Sequence, residues 1–218
     1  MNLIKSDFHI HSRYSPDSML GIDDLIKTCF RKGISLIAIT DHNSIEGALE
    51  ARSISSFPVI IGEEVTTADG ELTGLFLQEL VPKGLSAQET VKIIKAQGGL
   101  VSLPHPFDTF RRNVISKLVL PEIISEIDII EGFNARNTLN SANRKAKALA
   151  LEHRKLVTSV TDAHTSYELG KCYTELSIDV NKEITPKALL ASLSKANLYE
   201  NKVSPMIHMV TTLTKLIK

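Results

Sequence analysis

Short apolar runs alternate with amphipathic stretches of helical length along almost the whole chain. The runs are "NLIKSDFHI", "ISLIAIT", "PVIIGEEV", "LTGLFLQ", "GLVSLP", "IDIIEGF" and "KLVTSVT". They are rich in Ile, Val and Leu without polar alternation, the pattern of strands buried on both faces in a parallel arrangement. Between them lie "GIDDLIKTCFRKG", "NSIEGALEARSIS", "LSAQETVKIIKAQGG" and "TLNSANRKAKALALEHR", where apolar positions recur three or four residues apart. Ser86 with Glu89 has capping-box spacing, and Gly98-Gly99 marks a helix stop. Seven buried strands with intervening helices predict an α/β barrel before an open sheet. One link departs from that rhythm: "TTADGELTG" contains an Asp-Gly turn and reads as a short hairpin. After Thr165 follow a further strand-like run, "CYTELSID", and a helix opening at "TPKALLASLSKA" with Pro186 in its first turn. The tail "VSPMIHMVTTLTKLIK" reads as an amphipathic helix packed on the barrel. No linker, repeat or low-complexity tract interrupts the pattern, so the chain reads as one domain.

Composition narrows the functional classes. The 218 residues carry a net charge of +0, with 43% hydrophobic and 23% charged side chains, which is ordinary for a globular protein. Nothing here favours a polyanion groove, a nucleic-acid duplex surface or a membrane-surface partner. No run approaches the ~20 apolar residues of a transmembrane helix, and "MNLIKSD" lacks the apolar core of a signal peptide. The two cysteines, Cys29 and Cys172, read as small core hydrophobes, which suits a reducing, cytoplasmic setting.

The histidines change the picture most. His9 and His11 close the first run, His42 follows the second, His105 the fifth and His164 the seventh; His153 and His208 fall in helical stretches and read as structural or surface residues. Acidic residues occupy matching points: Asp17, Asp41, Glu63 and Glu64, Glu131 and Asp162. In an α/β barrel the C-terminal strand ends gather at one mouth, so residues far apart in sequence converge there. A mixture of imidazole and carboxylate suits borderline divalent metals such as Zn, Mn and Fe. His-x-His on a strand points two side chains the same way, because alternate residues share a face. The expectation is therefore a metal site at the barrel mouth.

With those residues laid out, the sequence resembles the PHP family, named for polymerase and histidinol phosphatase. The stretches that carry the resemblance are "DFHIHSRYSPDS", "AITDHNSIEG", "IIGEEV", "LPHP" and "TSVTDAH", in the family's order. The segment from "IIEGFNARN" to "GKCYTEL" resembles the C-terminal PHP-associated region. The reading of the whole chain is a single PHP-type domain over 1–218, with core motifs in 3–110, the associated region over 128–200 and a terminal helix over 203–218. The resemblance implies a distorted, TIM-like, seven-stranded (β/α) barrel with two or three divalent ions at its mouth. It implies that His9, His11, Glu64 and Asp162 hold a first ion, and that Glu64 bridges to a second ion also held by His105. Gly62 in Gly-x-Glu selects Glu64 over Glu63. Asp17, His42 and His164 would hold a third ion, where Asp17 makes Mn or Mg acceptable. Many members place a further histidine on the strand after the bridging glutamate. Here no histidine occurs between Glu64 and His105, which implies a second ion held weakly, by water ligands, or only alongside substrate.

The implied activity is phosphoester hydrolysis by a hydroxide held between two cations, with Glu64, Asp162 and His105 nearest the reaction. Arg13, Arg111, Arg112, Asn134 and Arg136 are the candidate phosphate donors, with Arg136 and one of Arg111 or Arg112 preferred. Asp41 and Glu131 are assigned to orienting the ligating groups. The substrate expected from neutral charge is a small phosphomonoester, a nucleotide or an oligonucleotide end. Two other readings compete. One is a metal-dependent amidohydrolase, which usually needs a bridging lysine that no strand end supplies. The other is a non-catalytic barrel with a degraded metal site that binds a phosphorylated ligand or a partner protein.

Overall fold

A computed structural model describes residues 3–204 and 206–218, with the side chains of all of these except 208–210. His208 therefore lies outside the described side chains. In chain order the elements are β1 (Ile4–Asp7), α1 (Ile22–Lys32), β2 (Ile34–Ile39), α2 (Glu46–Ile54), β3 (Val59–Thr67), β4 (Gly70–Leu75), α3 (Ala87–Ala96) and β5 (Leu100–Leu103). They continue with α4 (Leu120–Ile123), a 3-10 turn (Ile124–Glu126), β6 (Ile129–Asn134), α5 (Asn140–Glu152), β7 (Leu156–Val160), β8 (Tyr173–Leu176), α6 (Pro186–Leu193), β9 (Asn197–Tyr199) and α7 (Ile207–Ile217). All seven apolar runs form strands, and every helix except α4 falls where the 3.6-residue pattern put it. Ser86 and Glu89 close a reciprocal capping box on α3, and Thr185 caps α6 ahead of Pro186. Cys29 and Cys172 are free and buried.

The strand count is where the expectation needs correction. One sheet holds nine strands in the order β7-β6-β5-β4-β3-β2-β1-β8-β9. β1, β2 and β3 run parallel, as do β5, β6 and β7, whereas β4 is antiparallel to both β3 and β5. The cause is the hairpin. Thr67 pairs with Gly70, leaving only Ala68 and Asp69 to reverse the chain, and a two-residue link can join only antiparallel strands. Gly70 takes φ +123, a value that side chains rarely adopt, and a Cβ there would meet the Ile115 backbone at 2.5 Å. β8 pairs antiparallel with β1, and β9 with β8.

The sheet nearly closes into a barrel. Ile10, just beyond β1, bridges Ala163, just beyond β7, and the His11 amide donates to the Ala163 carbonyl at 2.8 Å. Lower on the same seam, the Asp7 carboxylate accepts from the Thr161 amide at 3.1 Å and from its hydroxyl. Inside the barrel, Leu36, Ile60, Leu75, Leu100 and Ile129 pack with Leu189 and Leu193 of α6. That apolar floor lies at the N-terminal ends of the parallel strands. A second core, including Leu25, Cys29, Ile37, Ile61, Val91 and Ile94, fills the layer between the sheet and the outer helices.

Candidate metal centre

β1 ends at Asp7, and His9 and His11 follow on either side of the Ile10 bridge. Their Nε2 atoms lie 2.9 Å apart. The partners of the other ring nitrogens settle which atoms carry protons. His9 Nδ1 lies 2.5 Å from Glu131 Oε1, and an ionised carboxylate only accepts, so the proton is on Nδ1. Ser15 Oγ gives its proton to Asp41 at 2.7 Å and therefore accepts from His11 Nδ1 at 2.9 Å. Both Nε2 lone pairs then face the same point. Glu64 Oε2 approaches them at 3.4 and 3.3 Å, and Asp162 Oδ1 at 3.7 and 3.4 Å. Neither oxygen has a hydrogen-bond partner among the described residues, although both residues are fully buried. Two imidazole nitrogens and two carboxylate oxygens facing one another in this way suit a divalent cation, whose binding would displace any proton held on Nε2.

Two further groups adjoin the first. His105 Nε2 lies 2.9 Å from Glu64 Oε1, and His42 Nδ1 lies 3.1 Å from Glu64 Oε2. On the other side of His42, its Nε2 is 3.4 Å from Asp17 Oδ2, while His164 Nε2 is 3.3 Å from Asp17 Oδ1. His11, Asp17, His42 and His164 make one group of mutually close ligand atoms, and His9, His11 and Glu64 another. Every histidine and carboxylate that the family motifs select is in this cluster.

Electrostatics match the geometry. Burial alone would raise the Glu64 and Asp162 carboxyls, yet both are held well below the ordinary range. His9 and His42 do this for Glu64, and Arg111 and then His9 for Asp162. Burial opposes charge on His9 and His11 too, but the neighbouring carboxylates prevail, lifting His11 to about 9. The site thus takes up positive charge as protons when no cation is bound, and cation binding must release them. His164 goes the other way, to about 3, through burial and the Arg136 guanidinium, which keeps its imidazole in the neutral, ligating form.

The surroundings hold these donors in place. Glu131 also accepts from the His105 amide at 3.0 Å and from Asn134 Nδ2 at 2.8 Å, so one carboxylate fixes two candidate ligands. Asp41 acts on His11 through Ser15 and also accepts the Ser12 amide at 2.6 Å. α2 can approach this carboxylate only because residue 47 is glycine, where a Cβ would lie 2.1 Å from Asp41 Oδ2. His105 and Asp162 adopt φ of +30 and +54, conformations that cost non-glycine residues energy and are held here by the surrounding contacts.

The candidate phosphate donors divide. Arg111 reaches the centre, donating from Nη2 to Asp162 Oδ2, while its Nε makes no hydrogen bond. Arg136 is buried beside it, with Nη1 3.6 Å from Glu168 and Nη2 donating to Thr211 of α7 at 3.0 Å. Asn134 braces the centre from within, donating from Nδ2 to Glu131 and to Asp162. Arg13 turns outward and forks onto Glu50 of α2 at 2.9 Å, and Arg112 is exposed. His153 is exposed at the end of α5. Sequence reasoning missed Lys215, whose Nζ lies 3.1 Å from Asp17 Oδ2, and Lys218, whose ammonium binds the carbonyls of Arg13, Ser15 and Ser18. It also missed Glu71, which enters the cluster from β4 beside His42 and Glu64.

Comparison with known proteins agrees with the cluster. The PHP domain signature matches residues 7–168, and the PHP-associated signature matches residues 140–198. The chain belongs to the PHP family. Two uncharacterized proteins of Methanocaldococcus jannaschii are similar to it. One is 40% identical over 61% of this chain and 82% of its own length; the other is 34% identical over 91% of this chain and 86% of its own. Among solved structures, a two-domain protein from Bacteroides vulgatus, described as containing a predicted PHP-like metal-dependent phosphoesterase, shares the fold with a TM-score of 0.75 at 18% identity. That likeness covers 92% of this chain but 65% of the two-domain protein, so this PHP chain spans just under two thirds of that neighbour's length. No helix among the described residues is long and apolar enough to cross a membrane.

Proposed function

We propose that this PHP protein is a metal-dependent phosphoesterase acting on a small phosphomonoester, a nucleotide or an oligonucleotide phosphate. The observation that carries the reading is the convergence of the His9 and His11 Nε2 lone pairs on two orphaned carboxylate oxygens, those of Glu64 and Asp162. His9, His11, Glu64 and Asp162 would hold a first divalent ion, Glu64 and His105 a second, and Asp17, His42 and His164 a third. Zn, Mn and Fe suit the histidine-rich positions, and Mg or Mn the position at Asp17. Such ions, when bound, make water acidic near neutral pH and polarise a phosphoryl oxygen.

The chain's own residues supply the rest. Glu131, Asn134 and Asp41 fix the ligating atoms in advance, so little reorganisation accompanies the reaction. The apolar floor excludes water from below the site. Arg111 offers a guanidinium held between Asp162 and Asp108, and Arg136 adds positive charge at His164; both suit phosphate oxygens. A bridging lysine of the amidohydrolase kind has no place here, because Glu64 already stands between the ligand groups. The eight motif donors that are present argue against a degraded, purely binding barrel, even without the further histidine between Glu64 and His105.

The decisive test pairs metal analysis with a phosphatase screen of Mn-loaded protein over phosphomonoesters, nucleotides and short oligonucleotides. Phosphate release from at least one class, lost in His9→Ala together with bound metal, is the expected result. A loaded protein that releases phosphate from none of them, with His9→Ala keeping its full metal content, would defeat the proposal.

A further inference from the structure

β4 runs against its neighbours, so its first residues, not its last, lie at the barrel mouth. Glu71 is the second residue of β4 and pairs with Thr66, two positions beyond Glu64 on β3. Residues opposite each other in an antiparallel pair share a face, so Glu71 points into the barrel with Glu64. It is 6% exposed. Its Oε1 lies 3.7 Å from His42 Nδ1, and its Oε2 lies 3.9 Å from His105 Nε2. These separations are too long for hydrogen bonds. They are the spacing of two ligands each about 2.1 Å from one ion. Among the described residues the carboxylate accepts a hydrogen bond from Asn113 Nδ2 at 3.1 Å. A second buried carboxylate beside Glu64 is costly unless a cation joins them, and burial with Glu64's charge accordingly raises its pKa.

We propose that Glu71 is a ligand of the ion that Glu64 and His105 hold, which makes that position a two-carboxylate, one-imidazole site. The proposal rests on the metal-centre reading given above and adds a residue that none of the matching motifs contains. Two hard oxygens to one nitrogen favour Mn, Fe or Mg over Zn at this position, whereas the pair of imidazoles at His9 and His11 leaves the first position hospitable to Zn.

Anomalous diffraction from Mn-soaked crystals of the wild-type protein tests it directly. The expected map has a peak between Glu64 and His105 with a Glu71 oxygen at ligand distance; a peak there with Glu71 turned away overturns the assignment. In solution, Glu71→Gln keeps the Asn113 contact and removes a buried charge, so its metal-free melting temperature should match or exceed that of wild type. Mn titration followed by elemental analysis should show Glu71→Gln weakened at least tenfold for one ion per chain. Glu71→His should regain that ion with a preference shifted toward Zn. Unchanged stoichiometry and affinity in Glu71→Gln overturn the proposal, as does loss of the ion at Asp17 and His164, which would mean that Glu71 acts only through His42. If wild type itself binds no ion, the metal-centre reading fails as a whole; if wild type binds ions and Glu71→Gln binds them equally, only this assignment fails.

Discussion

Glu63 and Glu64 are consecutive residues of β3, both fully buried, and the two faces of the strand treat them as different chemical species. Glu63 points away from the barrel interior, where Oε2 accepts the Val81 amide at 2.8 Å and Oε1 has no partner. Burial pushes its carboxyl up to about 7. Glu64 points inward, within 3.4 Å of His9, His11, His42 and His105, and is held well below the ordinary range. Solvent exposure is the same on both sides, so lack of exposure alone does not make a metal ligand. What separates the two regions is the imidazole ring around one carboxylate. It keeps that group ionised in a medium that would otherwise neutralise it.

The sharpest way to break this contrast is to neutralise each residue in turn. Glu64→Gln should lower phosphoesterase turnover by about a thousandfold or more, because it removes the group shared by the candidate ion positions. Metal content and turnover measured together check it, and a Glu64→Gln enzyme with normal values of both would show that the ring is structural. Glu63→Gln should leave turnover within a few-fold and change stability instead. In metal-stripped protein the folded state keeps a proton on Glu63 up to about pH 7, while the unfolded chain releases it near 4.5. Glu63 therefore costs nothing below the lower value and its full penalty above the upper one. Relative to wild type, Glu63→Gln should gain about 2–3 kcal/mol between pH 5 and pH 8. Denaturant curves at the two pH values give that difference, and a pH-independent effect would mean that Glu63 is ionised in the folded protein.

The same two faces explain what could be read from sequence. Buried strands announce themselves by unbroken Ile, Val and Leu, so β1 to β7 were legible, as was β8. β9, three residues of which two are exposed, carries no such signal. α4 was hidden because "VISKLVLPEIISEI" is apolar without clear helical periodicity. His9, His11, His42, His105 and His164 were legible because each follows a strand that runs toward the mouth. Glu71 was not, because a search of C-terminal strand ends looks at the wrong end of a reversed strand. The Asp-Gly turn was visible in the sequence, and its consequence for which residue faces the site was the step left untaken. The contacts of Asn134 and Arg13 were hidden for another reason. A side chain at a strand end or in a loop beside a site can point inward, brace its neighbours or turn outward, and only coordinates distinguish these.

Between ligand and bystander stands Glu131, which touches the cluster only through His9, the His105 amide and Asn134. Glu131→Gln keeps an acceptor for His9 but loses the negative charge that makes the imidazole a stronger donor. Ion affinity or turnover should fall about 10–100-fold, less than for Glu64→Gln and more than for Glu63→Gln. The discriminating measurement is Mn affinity by titration together with turnover. A wild-type result in both would reduce Glu131 to a hydrogen-bond filler, and a loss as large as that of Glu64→Gln would make it a ligand in its own right.

The smallest effect belongs to Arg13, which the sequence placed among the phosphate donors and the fold turns outward. Its side chain is 53% exposed and its partner Glu50 33% exposed, so the pair is well screened by solvent. Exposed ion pairs of this kind contribute about 0–1 kcal/mol. Arg13→Ala should therefore leave stability within about 1 kcal/mol and kcat/KM within twofold, while Arg111→Ala, which strips the guanidinium from Asp162, should cost at least tenfold in kcat/KM. Steady-state kinetics of both variants on one substrate suffices. A KM raised tenfold by Arg13→Ala would show that this arginine leaves Glu50 for the substrate phosphate, extending the ionised inner region to the rim that the structure assigns to the surface.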